Sequence, residues 1–432
     1  MKDENILYWI WLSLRCGIGT KDFRRIVERY EDPFDVYRLE EEEIERLEGI
    51  SPTLKLKLMD RSLEEAYSIL KYCKQKKVEI IPYNHKLYPA RLRSIEDPPV
   101  LLYAAGKMPD MNDRLCVAMV GTRKVSTYGR DTSFKIAYEL GSAGAVVVSG
   151  MALGVDGIAA CGALASGGET VAVLGCGISV VYPKIHQRLK ENIMKRGAVI
   201  TEYPPFEAPH GYNFPKRNRI ISGLCQGVIV IEGSTKSGSL ITASRAVEQG
   251  RKLFALPGKV GDSNAEGPNE LIKNGAFVAL SSDDVIEHFD FLYHKCIDYG
   301  GLRKAKRDSL NVERALEKYG VPDSTEEIIK PAAKPEKKNE VAPKAEKRTA
   351  KAEAQRQTEI PAPRESDSSE KLVEGMDENC RKVFFAMPMD RAVSPDGFEV
   401  EGVSIGDVIT ALTMLEISGL VQSLPGGMYI RK

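Results

Sequence analysis

Between Leu115 and Leu280 the chain repeats one pattern: an apolar run, a loop rich in glycine or serine, then a stretch of helical periodicity. Runs such as Val146-Val147-Val148 and Val228-Ile229-Val230-Ile231 are continuous rather than alternating, so each strand they form must be covered on both faces. That demand leaves one economical architecture, an α/β domain with a mainly parallel sheet between two helical layers. Strands are expected at 115–120, 145–148, 171–174, 198–201, 228–231, 252–255 and 277–280, and helices at about 127–141, 155–166, 185–195, 214–223, 239–249, 265–273 and 283–289.

In such a sheet ligands sit beyond the C-terminal strand ends, and the basic residues that fall there are the strongest functional signal. Arg123 and Lys124 follow the first strand in Gly121-Thr122-Arg123-Lys124-Val125-Ser126. Lys184 and Arg188 follow Gly175-Cys176-Gly177 and Tyr182-Pro183. Lys216, Arg217 and Arg219 lie in Phe214-Pro215-Lys216-Arg217-Asn218-Arg219, and Lys236 in Gly233-Ser234-Thr235-Lys236-Ser237-Gly238-Ser239. Residues 112–300 carry 20 basic and 18 acidic side chains, so any cationic groove must come from converging loops. Two loops resemble anion cradles: Gly121 to Ser126, with backbone amides, a guanidinium and a hydroxyl at a helix start, and Gly233 to Ser239. Asn218 and His186 are further candidate contacts; Tyr182, Tyr212 and Phe214 are candidate stacking surfaces for exposed bases. Gly150, Asp156, Gly175, Gly177, Gly233 and Gly238 are expected to shape the loops.

Other chemistries are poorly served. Gly233 to Ser239 lacks the Walker pairing of glycine with Lys-Ser/Thr, and no Gly-x-Gly-x-x-Gly follows the first strand. Gly402-Val403-Ser404-Ile405-Gly406 matches a nucleophile elbow without the buried strand that must precede one. Asp156 is the one carboxylate among the loops, and no second acid stands at metal spacing; no cofactor or metal is expected.

Outside this region the chain changes character. Residues 1–75 read as a small helical domain, in which Thr20 can cap the helix carrying Phe23, Ile26 and Val27. Its Gly17-Ile18-Gly19 turn either presents amides to a DNA phosphate or is a plain tight turn. From Val78 the clustered prolines favour extended segments, and Val100 to Tyr103 is expected to dock on the edge of the sheet. Residues 301–375 read as a disordered linker: from Val321 to Glu370 there are ten Lys or Arg, eleven Asp or Glu and no aromatic residue. Residues 376–432 read as a winged helix. It has no Lys or Arg from Ala392 to Ile430, while Asp396, Glu399, Glu401, Asp407 and Glu416 are acidic, so it is expected to contact protein rather than DNA. Eight scattered cysteines without a Cys-x-x-Cys pair suggest reduced thiols, and the short apolar run Ile6 to Leu14 suggests neither a membrane span nor a cleaved leader; a soluble, cytoplasmic protein is expected.

Asp97-Pro98-Pro99-Val100-Leu101, Gly121-Thr122-Arg123, Ser149-Gly150-Met151-Ala152-Leu153-Gly154-Val155-Asp156, Phe214-Pro215-Lys216-Arg217-Asn218-Arg219-Ile220-Ile221-Ser222-Gly223-Leu224, Ser237-Gly238-Ser239-Leu240-Ile241-Thr242-Ala243 and Leu256-Pro257-Gly258 together resemble the bacterial DNA-processing protein A family, also called Smf. The resemblance covers about 80–290 densely. It implies an extended Rossmann-like domain, here 76–300, that binds single-stranded DNA, dimerises through roughly 260–290, and helps load a RecA-type recombinase in natural transformation, without enzymatic activity. It also implies DNA contacts by Arg123, Lys184, Arg217 and Arg219. Leu153, Cys161 and His186 depart from the family's usual arginine, histidine and asparagine, and apolar Leu153 in place of a cation weakens one side of the expected groove. The alternative is an enzyme hydrolysing a small nucleoside monophosphate at the same strand edge, with Asp156 as its acid or base.

Overall fold

The computed structural model describes residues 3–322 and, in the tail, 378–388 together with parts of 393–431. The chain divides into two units, 1–336 and 337–432. The first is built on nine strands: β1 Glu79–Pro82, β2 Leu101–Gly106, β3 Cys116–Val120, β4 Val146–Ser149, β5 Glu169–Val173, β6 Ala198–Thr201, β7 Gly227–Val230, β8 Lys252–Ala255 and β9 Phe277–Val278. They lie in the order β1-β2-β6-β5-β4-β3-β7-β8-β9. From β6 to β9 all neighbours are parallel, while β2 runs antiparallel to both β6 and β1. This is the expected Rossmann-like sheet, and the strand after Pro99 docks on its edge as expected.

Period-two alternation divides the central strands between two faces, as β3 shows. Cys116, Ala118 and Val120 face Ile220, Ile221, Leu224 and Ala243 on helices Asn213–Leu224 and Gly238–Glu248. Val117 and Met119 face Ile136, Leu140 and Ala159 on helices Thr127–Ser142 and Val155–Ala165. Both faces are dry, which is why neither set alternates with polar residues. All eight cysteines are free thiols, seven of them buried.

Two domain boundaries expected from composition move. The N-terminal helices share a core with the sheet: Trp9, Trp11, Leu54 and Leu70 belong to the cluster that includes Leu101, Tyr103, Leu174 and Val199. Trp11 is satisfied by donating Nε1 to the Asp60 carbonyl at 2.9 Å. Residues 1–75 therefore form a layer of the first unit. Nor does order end at 300, because helices Tyr299–Ala305 and Val312–Tyr319 pack back, burying Leu302, Leu316 and Val321. The amphipathic stretch at 312–319 was hidden by the charged composition around it. Most of the segment read as linker lies outside the described residues. Thr20 does not cap the helix that follows; its hydroxyl donates to the Cys16 carbonyl behind it, and Gly17 and Gly19 make the turn with positive φ.

The second unit has helices Glu378–Ala386 and Ile405–Ile417 and an antiparallel pair, β10 Val421–Leu424 and β11 Met428–Arg431, around Phe384, Val408 and Leu412.

The first unit is pinned by a buried charge network. Arg219 donates Nη1 and Nη2 to the two Glu202 carboxylate oxygens at 2.9 and 2.7 Å, and Nε to Asp97 at 3.0 Å. It thereby joins helix Asn213–Leu224, the end of β6 and the segment feeding β2. Burial alone would lower the Arg219 pKa, but Glu202 and Asp97 outweigh it and hold the guanidinium above its ordinary value. Removing one partner of such a group leaves buried charge uncompensated. Arg219→Ala is expected to cost about 3–5 kcal/mol in urea unfolding; a loss under about 1 kcal/mol, the range of an exposed pair, would show that the network carries no stability.

Candidate nucleic-acid interface

Strand order reverses between β3 and β7, since the chain runs outward through β4, β5 and β6 on one side and returns to β7 on the other. A crevice at the C-terminal strand ends follows from that reversal. It is a cavity of about 610 Å³ whose lining includes Gly121 and Arg123 after β3, Asp156 after β4, Tyr182 after β5, Phe214, Arg217 and Asn218 from helix Asn213–Leu224, and Ser237, Gly238 and Ser239 after β7. Loops more than 100 residues apart in sequence meet here because parallel strands all end at the same edge.

Phe214 is the centre of the wall. Its ring lies 5.2 Å from that of Tyr182, and the guanidinium carbons of Arg123 and Arg217 each stand 5.9 Å from its centroid. Arg123 is exposed and Arg217 is buried to 4%. Arg217 donates to the Val173 carbonyl, its Nε has no hydrogen-bond partner, and burial pulls its pKa down against the opposing pull of Asp156. Gly150 is small because a Cβ there would overlap the Arg217 guanidinium, and Gly175 because one would strike Phe214 at 2.8 Å. Asp156 accepts the Gly150 N–H at 2.9 Å. Burial raises its pKa, against Arg217, the Gly150 and Ala152 amides and Arg123.

At the rim, Tyr212 is exposed, stacks on His210 with ring centroids 5.3 Å apart, and has the Lys216 ammonium 6.0 Å over its ring. Asn218 donates Nδ2 to the Gly238 carbonyl at 3.4 Å, and the Ser239 and Ser237 hydroxyls are paired at 2.8 Å. A Cβ on Gly177 would meet the Pro204 and Pro205 carbonyls and one on Gly233 the Ser237 hydroxyl, whereas Gly238 has open space and positive φ nowhere demands it. Gly238 is therefore not a residue the loop requires. Lys124, Lys184 and Lys236 are exposed but do not line the cavity.

Three expected contacts are corrected. Arg219 faces away from the crevice into the Glu202–Asp97 network. His186 is fully buried, its Nδ1 3.0 Å from the Met151 carbonyl, with its pKa lowered chiefly by burial. Ser126 does not present its hydroxyl to an external anion: Glu232, immediately beyond β7, accepts both the Ser126 N–H at 2.9 Å and the Ser126 hydroxyl, while Asn264 donates to the same carboxylate at 3.3 Å. The start of helix Thr127–Ser142 thus already holds an internal anion, a role that sequence reasoning missed. The available signal was an acid directly following an apolar strand at an otherwise cationic edge.

The family model for DNA recombination-mediator protein A matches residues 79–290. The DNA processing protein DprA of Bacillus subtilis is 38% identical over 238 residues, 54% of this chain and 80% of that relative. The chain belongs to the DNA recombination-mediator protein A family. Protein Smf of Synechocystis is 29% identical over 436 aligned residues that span both chains entirely. The X-ray structure of DprA from Streptococcus pneumoniae superposes with a TM-score of 0.57 at 35% identity, covering 65% of this chain and 97% of that one. Of the three departures from the family pattern, Cys161 and His186 are buried in the interior and Leu153 is half-buried, outside the cavity lining. Among the described residues no group of His, Cys, Asp and Glu has the geometry of a metal site, and no helix is long and apolar enough to cross a membrane.

The coupling of Arg217 to Asp156 sets a pH signature. A carboxyl whose folded pKa lies above its unfolded value destabilises the fold once the pH exceeds the unfolded value, and not below it. Arg217→Ala removes the cation that limits this penalty, so its stability deficit should be about 3 kcal/mol at neutral pH and should shrink as the pH falls toward about 4. Adding Asp156→Asn should recover part of the neutral-pH loss; a deficit independent of pH in urea titrations would disprove the coupling.

Proposed function

We propose that this chain is a non-enzymatic protein that binds single-stranded DNA in the switch-point cavity and helps load a RecA-type recombinase during natural transformation. The observation that carries the reading is the joining of Arg123, Arg217, Phe214 and Tyr182 in one crevice. Guanidinium groups supply charge for phosphates, and aromatic faces supply stacking that any base can use. A duplex needs a longer continuous basic face, while this opening combines few cations with rings accessible from one side. Family membership supports a role in DNA recombination.

Dimerisation through roughly 260–290 is part of the proposal. Val260, Phe277, Val278 and Leu280 are exposed there, β9 is an unprotected sheet edge, and Phe291 and Leu292 extend the apolar surface. The acidic tail is proposed to contact protein, and the protein to act in the cytoplasm.

Hydrolysis of a nucleoside monophosphate stays in contention because Asp156 lines the cavity. Its carboxylate is committed to the Gly150 amide and set beside Arg217, an arrangement that serves loop shape. A panel of nucleoside monophosphates should show no turnover; turnover abolished by Asp156→Asn would establish the enzyme instead.

Arg123→Ala should weaken binding to single strands of any sequence and lower the slope of log K against log salt by about 0.7 unit, with an unchanged melting temperature because the side chain is exposed. Unaltered affinity and slope in fluorescence anisotropy would remove Arg123 from the interface. A chain ending at residue 322 should bind as the full chain does; a large loss would give the tail a part in holding DNA.

A further inference from the structure

Helix Gly238–Glu248 connects the central cavity to a second one. Its residues Gly238, Ile241 and Thr242 line the first; Arg245, Glu248 and the following Gln249 line another cavity of about 630 Å³. Positions 238, 241, 242, 245, 248 and 249 fall on one helical stripe, so the two cavities lie along a single face that runs for about 16 Å from end to end. The far wall of the second cavity is the turn of the N-terminal helices, through Gly19, Lys21 and Arg24.

Its cations are held in an unusual way. Arg24 donates Nη2 to the carbonyls of Arg93 and Ile95, and Arg251 donates Nη2 to those of Arg91 and Gly223. Carbonyl partners fix a guanidinium without neutralising it; among the described residues, the one carboxylate within ion-pair distance of Arg24 is Glu28, at 4.0 Å. Arg24 Nε, Arg251 Nε and Gln249 Oε1, all on residues lining this cavity, are buried without hydrogen-bond partners. Lys21 and Arg245 stand at the mouth in exposed pairs with Glu96 at 2.6 Å and Glu248 at 2.7 Å. Such exposed pairs contribute little and exchange readily for a phosphate. Asp97 also lines the cavity, but its charge is engaged by Arg219.

We propose that this second cavity holds a phosphodiester of the same DNA strand, a few nucleotides beyond the segment in the central cavity. The proposal rests on the single-strand reading of that cavity and extends it. Helix Gly238–Glu248 is then the floor on which the strand travels, and the glycine turn of the N-terminal layer closes over its backbone. Because the contact is to phosphate, it adds affinity without sequence preference.

The test compares full-length wild type, Arg123→Ala, Lys21→Ala/Arg245→Ala and Glu96→Gln/Glu248→Gln on oligothymidylates of about six and about twenty nucleotides, across a salt series, with melting temperature as the fold control. The Lys21/Arg245 double variant should bind the long strand several-fold more weakly, with a salt slope lower by about 1.4 for two lost contacts, and its deficit should be smaller on the short strand. The Glu96/Glu248 double variant, which frees both cations, should bind the long strand more tightly. If Arg123→Ala weakens binding but both double variants match wild type on the long strand, the second station is overturned and the central cavity stands. If wild type binds neither strand, both readings fall.

Discussion

The features of the candidate site descend from one constraint: parallel strands whose central members are buried on both faces must end together. The loops that follow β3, β4, β5 and β7 have nowhere to go but the same rim, and the reversal of strand order between β3 and β7 opens that rim into a crevice. No continuous basic face is needed. A chain with as many acidic as basic residues concentrates Arg123 and Arg217 at one place by topology alone.

The acids at this edge decide which cations stay available. Glu202 and Asp97 claim Arg219, Glu232 fills the amide-rich start of helix Thr127–Ser142, and Asp156 is shared between the Gly150 amide and Arg217. Buried ions persist only when matched, so the interior network draws charge out of the rim and leaves Arg123 free while Arg217 is held part-way. Phe214 links the two, lying within cation–π reach of both guanidinium groups. Packed neighbours hold Arg217, whereas Arg123 projects from the exposed loop after β3.

Much of the fold was legible beforehand. Apolar runs such as Val228 to Ile231 located the strands within a residue or two, and the Ser126 hydroxyl marked the start of helix Thr127–Ser142, because both signals act over a single turn or a single strand. The site was legible in part: Arg123, Arg217, Asn218, Phe214 and Tyr182 do share the crevice. His186 and Arg219 carry the same charge signature in a one-dimensional reading, yet both are interior. Two positions separate Arg217 from Arg219 on one helix, which turns them to opposite sides of it. Compositional reading also misjudged the helix Val312–Tyr319, whose few apolar residues suffice because they all lie on one face.

By itself the sequence determined the class of fold, the positions of its elements and the kinds of chemistry it can present, since these follow from local periodicity, glycine and proline geometry, and side-chain type. Tertiary structure alone decided which cation meets an internal carboxylate and which meets solvent. That choice depends on residues such as Asp97, Glu202 and Glu232, brought to their partners across as many as 122 positions of chain, and no local pattern records a distance of that kind.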